Sequence, residues 1–164
     1  MTSEKSTAKH SVRRRRSRAS EHQSYIFRIE DSEAGYSFAT DHNQWTAGPY
    51  WEHLELSIAG TIVVPEGLQG RRCTLSFLGD RRISRALDSP ADSRIEPLCV
   101  GTLTIWGQTT SYLGSLPHDV IWHVLAALAG GNIRMLALHG ERLYRGKAKI
   151  QTVHFGREID PEEW

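Results

Sequence analysis

Between Trp51 and Val64 the side chains of Leu54, Leu56, Ile58, Ile62 and Val64 recur on one parity, with Glu52, Glu55, Ser57 and Thr61 read as the outward set. A period of two sustained over that length is the signature of a half-buried β-strand and leaves little room for a helix. Gly60 interrupts the apolar parity, so a bulge or bend is expected there. Pro65-Glu66-Gly67 then supplies turn chemistry, and Cys73, Leu75 and Phe77 resume the alternation opposite Arg72, Thr74 and Ser76. The two segments predict an antiparallel hairpin.

Around this hairpin, Tyr25 to Glu30 and Tyr36 to Thr40 read as two short strands joined across Asp31 to Gly35. Gly79 to Pro97 reads as loop, with a short strand at Arg82 to Leu87 as its one regular candidate, because it is rich in Asp, Ser and Arg and holds Ser89-Pro90. Leu98 to Trp106 is apolar on both parities and predicts a central strand. Tyr112 and Leu113 add a short one. From Pro117 to Ala129 the period changes: Val120, Val124 and Leu128 recur at helical spacing beside Ile121 and Leu125. Pro117 suits the first turn, Asp119 the positive end of the dipole, and Gly130-Gly131 a stop. Ile133 to His139 and Leu143 to Phe155 return to strand, with Gly140 read as the turn between them. The expected fold is mainly β (α+β): an antiparallel β-sandwich or barrel of about seven to nine strands with one α-helix near residues 117–130.

Charge divides the chain. Residues 1–20 hold seven Lys and Arg against one Glu, a net of +6, and the remaining 144 residues hold 13 against 18, a net of −5. Residues 1–24 carry no aromatic side chain, so they are expected to form a disordered basic tail; residues 25–156 form one β-rich domain and 157–164 an acidic end. Hydrophobic residues at 39% and charged residues at 24% exclude a disordered polyelectrolyte for the chain as a whole. No apolar stretch of the export-signal kind follows the arginines, and Val120 to Ile133 is too short to span a bilayer. A soluble, cytoplasmic protein is expected. Cys73 and Cys99, set among apolar strand residues, are expected to be buried and reduced.

Chemistry-bearing patterns are sparse. Neither a phosphate-binding glycine loop nor a dinucleotide fingerprint occurs, so no cofactor is expected, and no HExxH or paired CxxC supports a metal. Asp119 and His123, four apart, share a helix face; His139 and His154 fall on adjacent predicted strands, and all four are read first as structural or surface residues. Gly114-Ser115-Leu116 lacks the second glycine of a nucleophile elbow. Arg13, Arg14, Arg15, Arg16 and Arg18 in the tail, with Arg71, Arg72, Arg81, Arg82 and Arg85, form two basic clusters suited to phosphates or to neutralising acidic neighbours such as Asp80 and Asp88. Trp45, Tyr50 and Trp51 around Gly48-Pro49 read first as a plug for the end of a barrel and second as an aromatic platform for a ligand or partner. The leading expectation is a non-catalytic interaction module with a protein partner. The alternatives are sequence-nonspecific nucleic-acid binding through the arginines, an apolar ligand in a barrel walled by Trp51, Trp106 and Trp122, and a metal-dependent hydrolase using His139, His154 and the Asp119/His123 pair.

Overall fold

The computed structural model describes residues 22–40, 50–81, 83 and 99–161. Seven strands occur in these residues: β1 (His22–Thr40), β2 (Tyr50–Val64), β3 (Arg72–Asp80), β4 (Gly101–Trp106), β5 (Thr109–Pro117), β6 (Met135–Glu141) and β7 (Lys147–Gly156). One α-helix, α1 (His118–Ala129), joins β5 to β6, and a 3-10 turn at Glu66–Leu68 joins β2 to β3. The strands close into a barrel in the order β1-β2-β3-β5-β4-β7-β6. All neighbours are antiparallel except β3 and β5, which run parallel because β4 lies on the far side of β5. Closure is made by β1 and β6, where His22 pairs with Glu141 and Arg28 with Met135. The domain's first strand thus begins at His22, inside the segment read as tail.

The predicted antiparallel hairpin is present, but Val64, read as inward, lies beyond a register shift between the Ile26/Val64 and Phe27/Ile62 pairs and is outside the core. Leu54, Leu56, Ile58 and Ile62 from β2 and Cys73, Leu75 and Phe77 from β3 fill the barrel, meeting Tyr25, Phe27, Leu103, Tyr112, Leu136, Leu138, Ala148 and Ile150. Helix α1 begins after Pro117 and ends at Gly130, and buries Ile121 and Val124 into the same cluster. Complete burial of Ile121 alone contributes about 2 kcal/mol. Among the described residues no helix is long and apolar enough to cross a membrane.

Two bulges explain where the sequence pattern misleads. The two short strands read at Tyr25 and Tyr36 are one continuous strand, β1, with a register shift between Ile29 and Asp31. The extra residue, Glu30, flips the parity, so the odd residues Tyr25 and Phe27 share a face with the even residues beyond the bulge. Gly60 sits opposite, as expected of a bulge site: a Cβ there would lie 2.8 Å from the Arg28 carbonyl oxygen. The Thr61 hydroxyl donates to the displaced Glu30 carboxylate. In β7 the shift between the His139/Thr152 and Gly140/Ile150 pairs leaves Gln151 extra, and the inward set changes from the buried Ala148 and Ile150 to the partly buried Val153 and Phe155.

Gly140 is therefore no turn residue. It lies inside β6 where the bulged strand approaches closely, and a Cβ would meet Ile150 Cα at 2.8 Å. The reversal falls instead at Arg142 to Gly146, where Tyr144 and Lys147 exchange backbone hydrogen bonds. Cys73 is buried as expected, but Cys99, at the entry to β4, is exposed.

Candidate functional site

The two longest strands outrun the barrel. β1 pairs with β6 only through Arg28, and β2 pairs with β3 only from Glu55 to Thr61. Beyond those limits β1 and β2 continue together to the Thr40/Tyr50 pair as a two-stranded arm. Because Glu30 has flipped the parity, Tyr36 and Phe38 oppose Leu54 and Glu52 on the face that continues the barrel interior. Tyr36, Phe38 and Tyr50 are 51%, 61% and 59% exposed. The Phe38 and Tyr50 rings stack with centroids 5.4 Å apart. Tyr36 meets Trp122 of α1, itself 46% exposed, at 6.1 Å in a tilted pair. Four rings from three elements thus share one open surface, each pair gaining beyond its area from the quadrupole geometry.

At the base of this surface lies a polar trio. Glu52 is on β2, Arg81 follows the last residue of β3, and His118 is the first residue of α1. Arg81 Nη2 lies 2.6 Å from Glu52 Oε2, and His118 Nε2 lies 3.2 Å from Glu52 Oε1. Tyr36 donates its hydroxyl to the same carboxylate, and shielding of the phenol together with that bond raises its pKa above the ordinary value. A carboxylate only 16% exposed needs such donors to offset its desolvation. The trio pins the arm to the helix N-terminus and to β3, and the Arg81 side chain, 63% exposed, keeps donors available to solvent. These groups can hold and orient a partner's acceptors beside an aromatic face.

The residues singled out from the sequence fall in different places. Tyr50 joins the aromatic surface; Trp45 lies outside the described residues, as does the side chain of Trp51. Trp106, 80% exposed, and Trp122 point outward, so neither walls the barrel interior, which apolar side chains fill. Arg13, Arg14, Arg15, Arg16, Arg18, Arg82 and Arg85 lie outside the described residues; of the strand expected at Arg82 to Leu87 only Ile83 is described, and its backbone there is helical.

Arg71 and Arg72 are separated from Arg81 by the length of β3, about 30 Å at strand rise. Arg71 donates to the Gly107 carbonyl at 2.9 Å, and Arg81 pairs with Glu52, while Asp88 lies outside the described residues. They do not form one basic cluster.

Asp119 and His123 are both exposed on α1. His139 and His154 lie within β6 and β7, on neighbouring registers, rather than at strand ends. His139 Nδ1 is 2.8 Å from Ser24 Oγ, and its pKa is lowered by burial and then by repulsion from His154. No group of three or more His, Cys, Asp or Glu side chains among the described residues is placed to hold a metal ion.

Glu52, His118, Tyr36 and Phe38 were not among the residues picked out. A signal for Glu52 was present: it has the parity of Leu54 and Leu56, so it faces inward, not outward as first read. No family model matches this chain, and no curated protein or solved structure matches it either.

Proposed function

We propose that this protein is a non-catalytic interaction module that engages another macromolecule through the aromatic face of its arm. The observation that carries this reading is the row formed by Trp122, Tyr36, Phe38 and Tyr50, each close to half exposed or more, on a strand pair that extends past the barrel. Exposed apolar surface gathered in one place and flanked by a polar, charge-paired floor is what binding surfaces offer and what a self-contained fold avoids. Aromatic rings carry much of the energy in such contacts, since they bury large areas with few rotatable bonds.

The reading is tested by replacing Tyr50 with a benzophenone photo-cross-linking residue in the full chain, expressed in its native cells. A control carries the same group at Leu113, which is 57% exposed on the wall of the barrel. Discrete adducts with a second macromolecule from position 50 and none from position 113 are expected. Identical patterns from both positions would overturn the proposal. Nucleic-acid adducts in place of protein adducts would favour the arginine-tail alternative, with binding that falls steeply as salt rises.

A further inference from the structure

A strand edge with unmet backbone N–H and C=O groups pairs readily with another strand, and folds guard such edges with charge, bulges, proline or a covering element. β1 is guarded along only part of its length. Near the barrel the Glu30 bulge breaks the edge, carboxylates stand at Glu30, Asp31 and Glu33, and Asp31 Oδ1 accepts the Ser32 N–H at 2.8 Å. From Gly35 to Ala39 none of these devices is present among the described residues. That stretch, Gly-Tyr-Ser-Phe-Ala, has no charge, no proline and no bulge, is exposed throughout, and among the described residues pairs with β2 alone.

We propose that this distal edge pairs with the same edge of a second copy of the chain, antiparallel about a two-fold axis at Ser37. The sequence is self-complementary in that register. Ser37 opposes itself, Gly35 opposes Ala39, and Tyr36 opposes the partner's Phe38, so every ring stays on the face it already occupies. Aromatic cross-strand pairs of this kind are among the most stabilising a sheet offers. The carboxylates of Glu30, Asp31 and Glu33 remain outside the five-residue pairing, which limits like-charge repulsion between two acidic domains.

The two arms then form a continuous four-stranded sheet, and the two aromatic faces merge into one bivalent surface. An edge this short, with two half-exposed rings per chain, falls below the roughly 1,200 Å² that marks stable complexes, so the dimer is reversible and concentration-dependent. This inference concerns the strand edge and goes beyond the reading of the face, which a monomer could equally present.

The experiment uses the full chain with Cys99→Ser, which removes the exposed thiol and leaves the buried Cys73. Residues opposed at the axis have Cα atoms roughly 4.5 to 5.5 Å apart, within disulfide range. Ser37→Cys in this background is expected to form an interchain disulfide on mild oxidation at least about tenfold faster than Leu113→Cys, since only the first is held against its own copy. In parallel, sedimentation of the unmodified chain is expected to show a dimer fraction that grows with concentration and is lost in Ser37→Asp, which sets two carboxylates face to face. Equal cross-linking rates for the two cysteine variants, or an 18.5 kDa monomer persisting at millimolar protein, would overturn the proposal. Photo-adducts from Tyr50 to another macromolecule alongside such a monomer would leave the interaction-module reading standing while removing the dimer.

Discussion

Gly140→Ala is the sharpest perturbation the fold allows at a single methyl group. The added Cβ would stand 2.8 Å from Ile150 Cα and 2.9 Å from the Lys149 carbonyl carbon, and closer still to the Lys149 oxygen. All three are backbone atoms of β7, so no side-chain rotation relieves the overlap. Relief requires β6 and β7 to separate by about 1 Å, toward an ordinary carbon–oxygen contact near 3.3 Å. That movement loads the Gly140/Ile150 pair and the neighbouring bond from the Val100 N–H to the Ile150 carbonyl, 2.7 Å in the native fold.

Overpacking costs about 1 to 3 kcal/mol, and a weakened hydrogen bond adds about 1. Reduced chain entropy in the unfolded state returns about 0.4 to 1 kcal/mol. The expected net loss is therefore about 1 to 3.5 kcal/mol, or a fall in Tm of about 2 to 14 °C for a chain of this size. Urea unfolding followed by tryptophan fluorescence reads the change, with an unaltered slope showing that only stability has moved. Gly67→Ala, where nothing lies within 4 Å of the new methyl, is the matched control and should be as stable as the native chain or gain up to about 1 kcal/mol. If Gly140→Ala proves as stable as that control, the close approach at the bulge is wrong and so is the register that produces it.

Other consequences are open to measurement. Of the two thiols, Cys99 is exposed while burial pushes the Cys73 thiol up to about 12, so a disulfide reagent at neutral pH should modify one cysteine rapidly and the second only at the rate of unfolding; two fast thiols would contradict the burial of β3. Burial and the neighbouring His154 hold His139 below the ordinary imidazole value, so its contribution to stability is complete above the unfolded pKa of about 6.5 and is lost as pH falls through the lower folded value. His139→Asn should flatten that acid limb of the stability profile, and an unchanged slope would refute the assignment. Glu52→Gln should move the Tyr36 phenol back toward its ordinary value by removing the negative acceptor, read by ultraviolet titration against Tyr36→Phe; no change would mean that the hydroxyl does not engage Glu52.

The parts of the protein legible in its sequence are those written in local periodicity. Strands β2 and β3, the turn at Pro65 to Gly67 and helix α1 follow from patterns contained within about a dozen consecutive residues, and the mainly β class with one late helix follows from their sum. What the tertiary structure alone decided depends on residues far apart in the chain. Glu30 forms a bulge across from Gly60, where a Cβ would crowd the Arg28 carbonyl oxygen, and that one extra residue turns two apparent strands into a single long one with its aromatic side chains on the core face. Gly140 resembles a turn residue until β7 is brought against it with Gln151 in excess. Arg81 meets Glu52, and His118 closes on the same carboxylate, because β2, β3 and α1 converge at one end of a barrel sealed by pairing His22 with Glu141. A side chain's parity is a local property, but which parity is inside is fixed by pairing, and every bulge resets it.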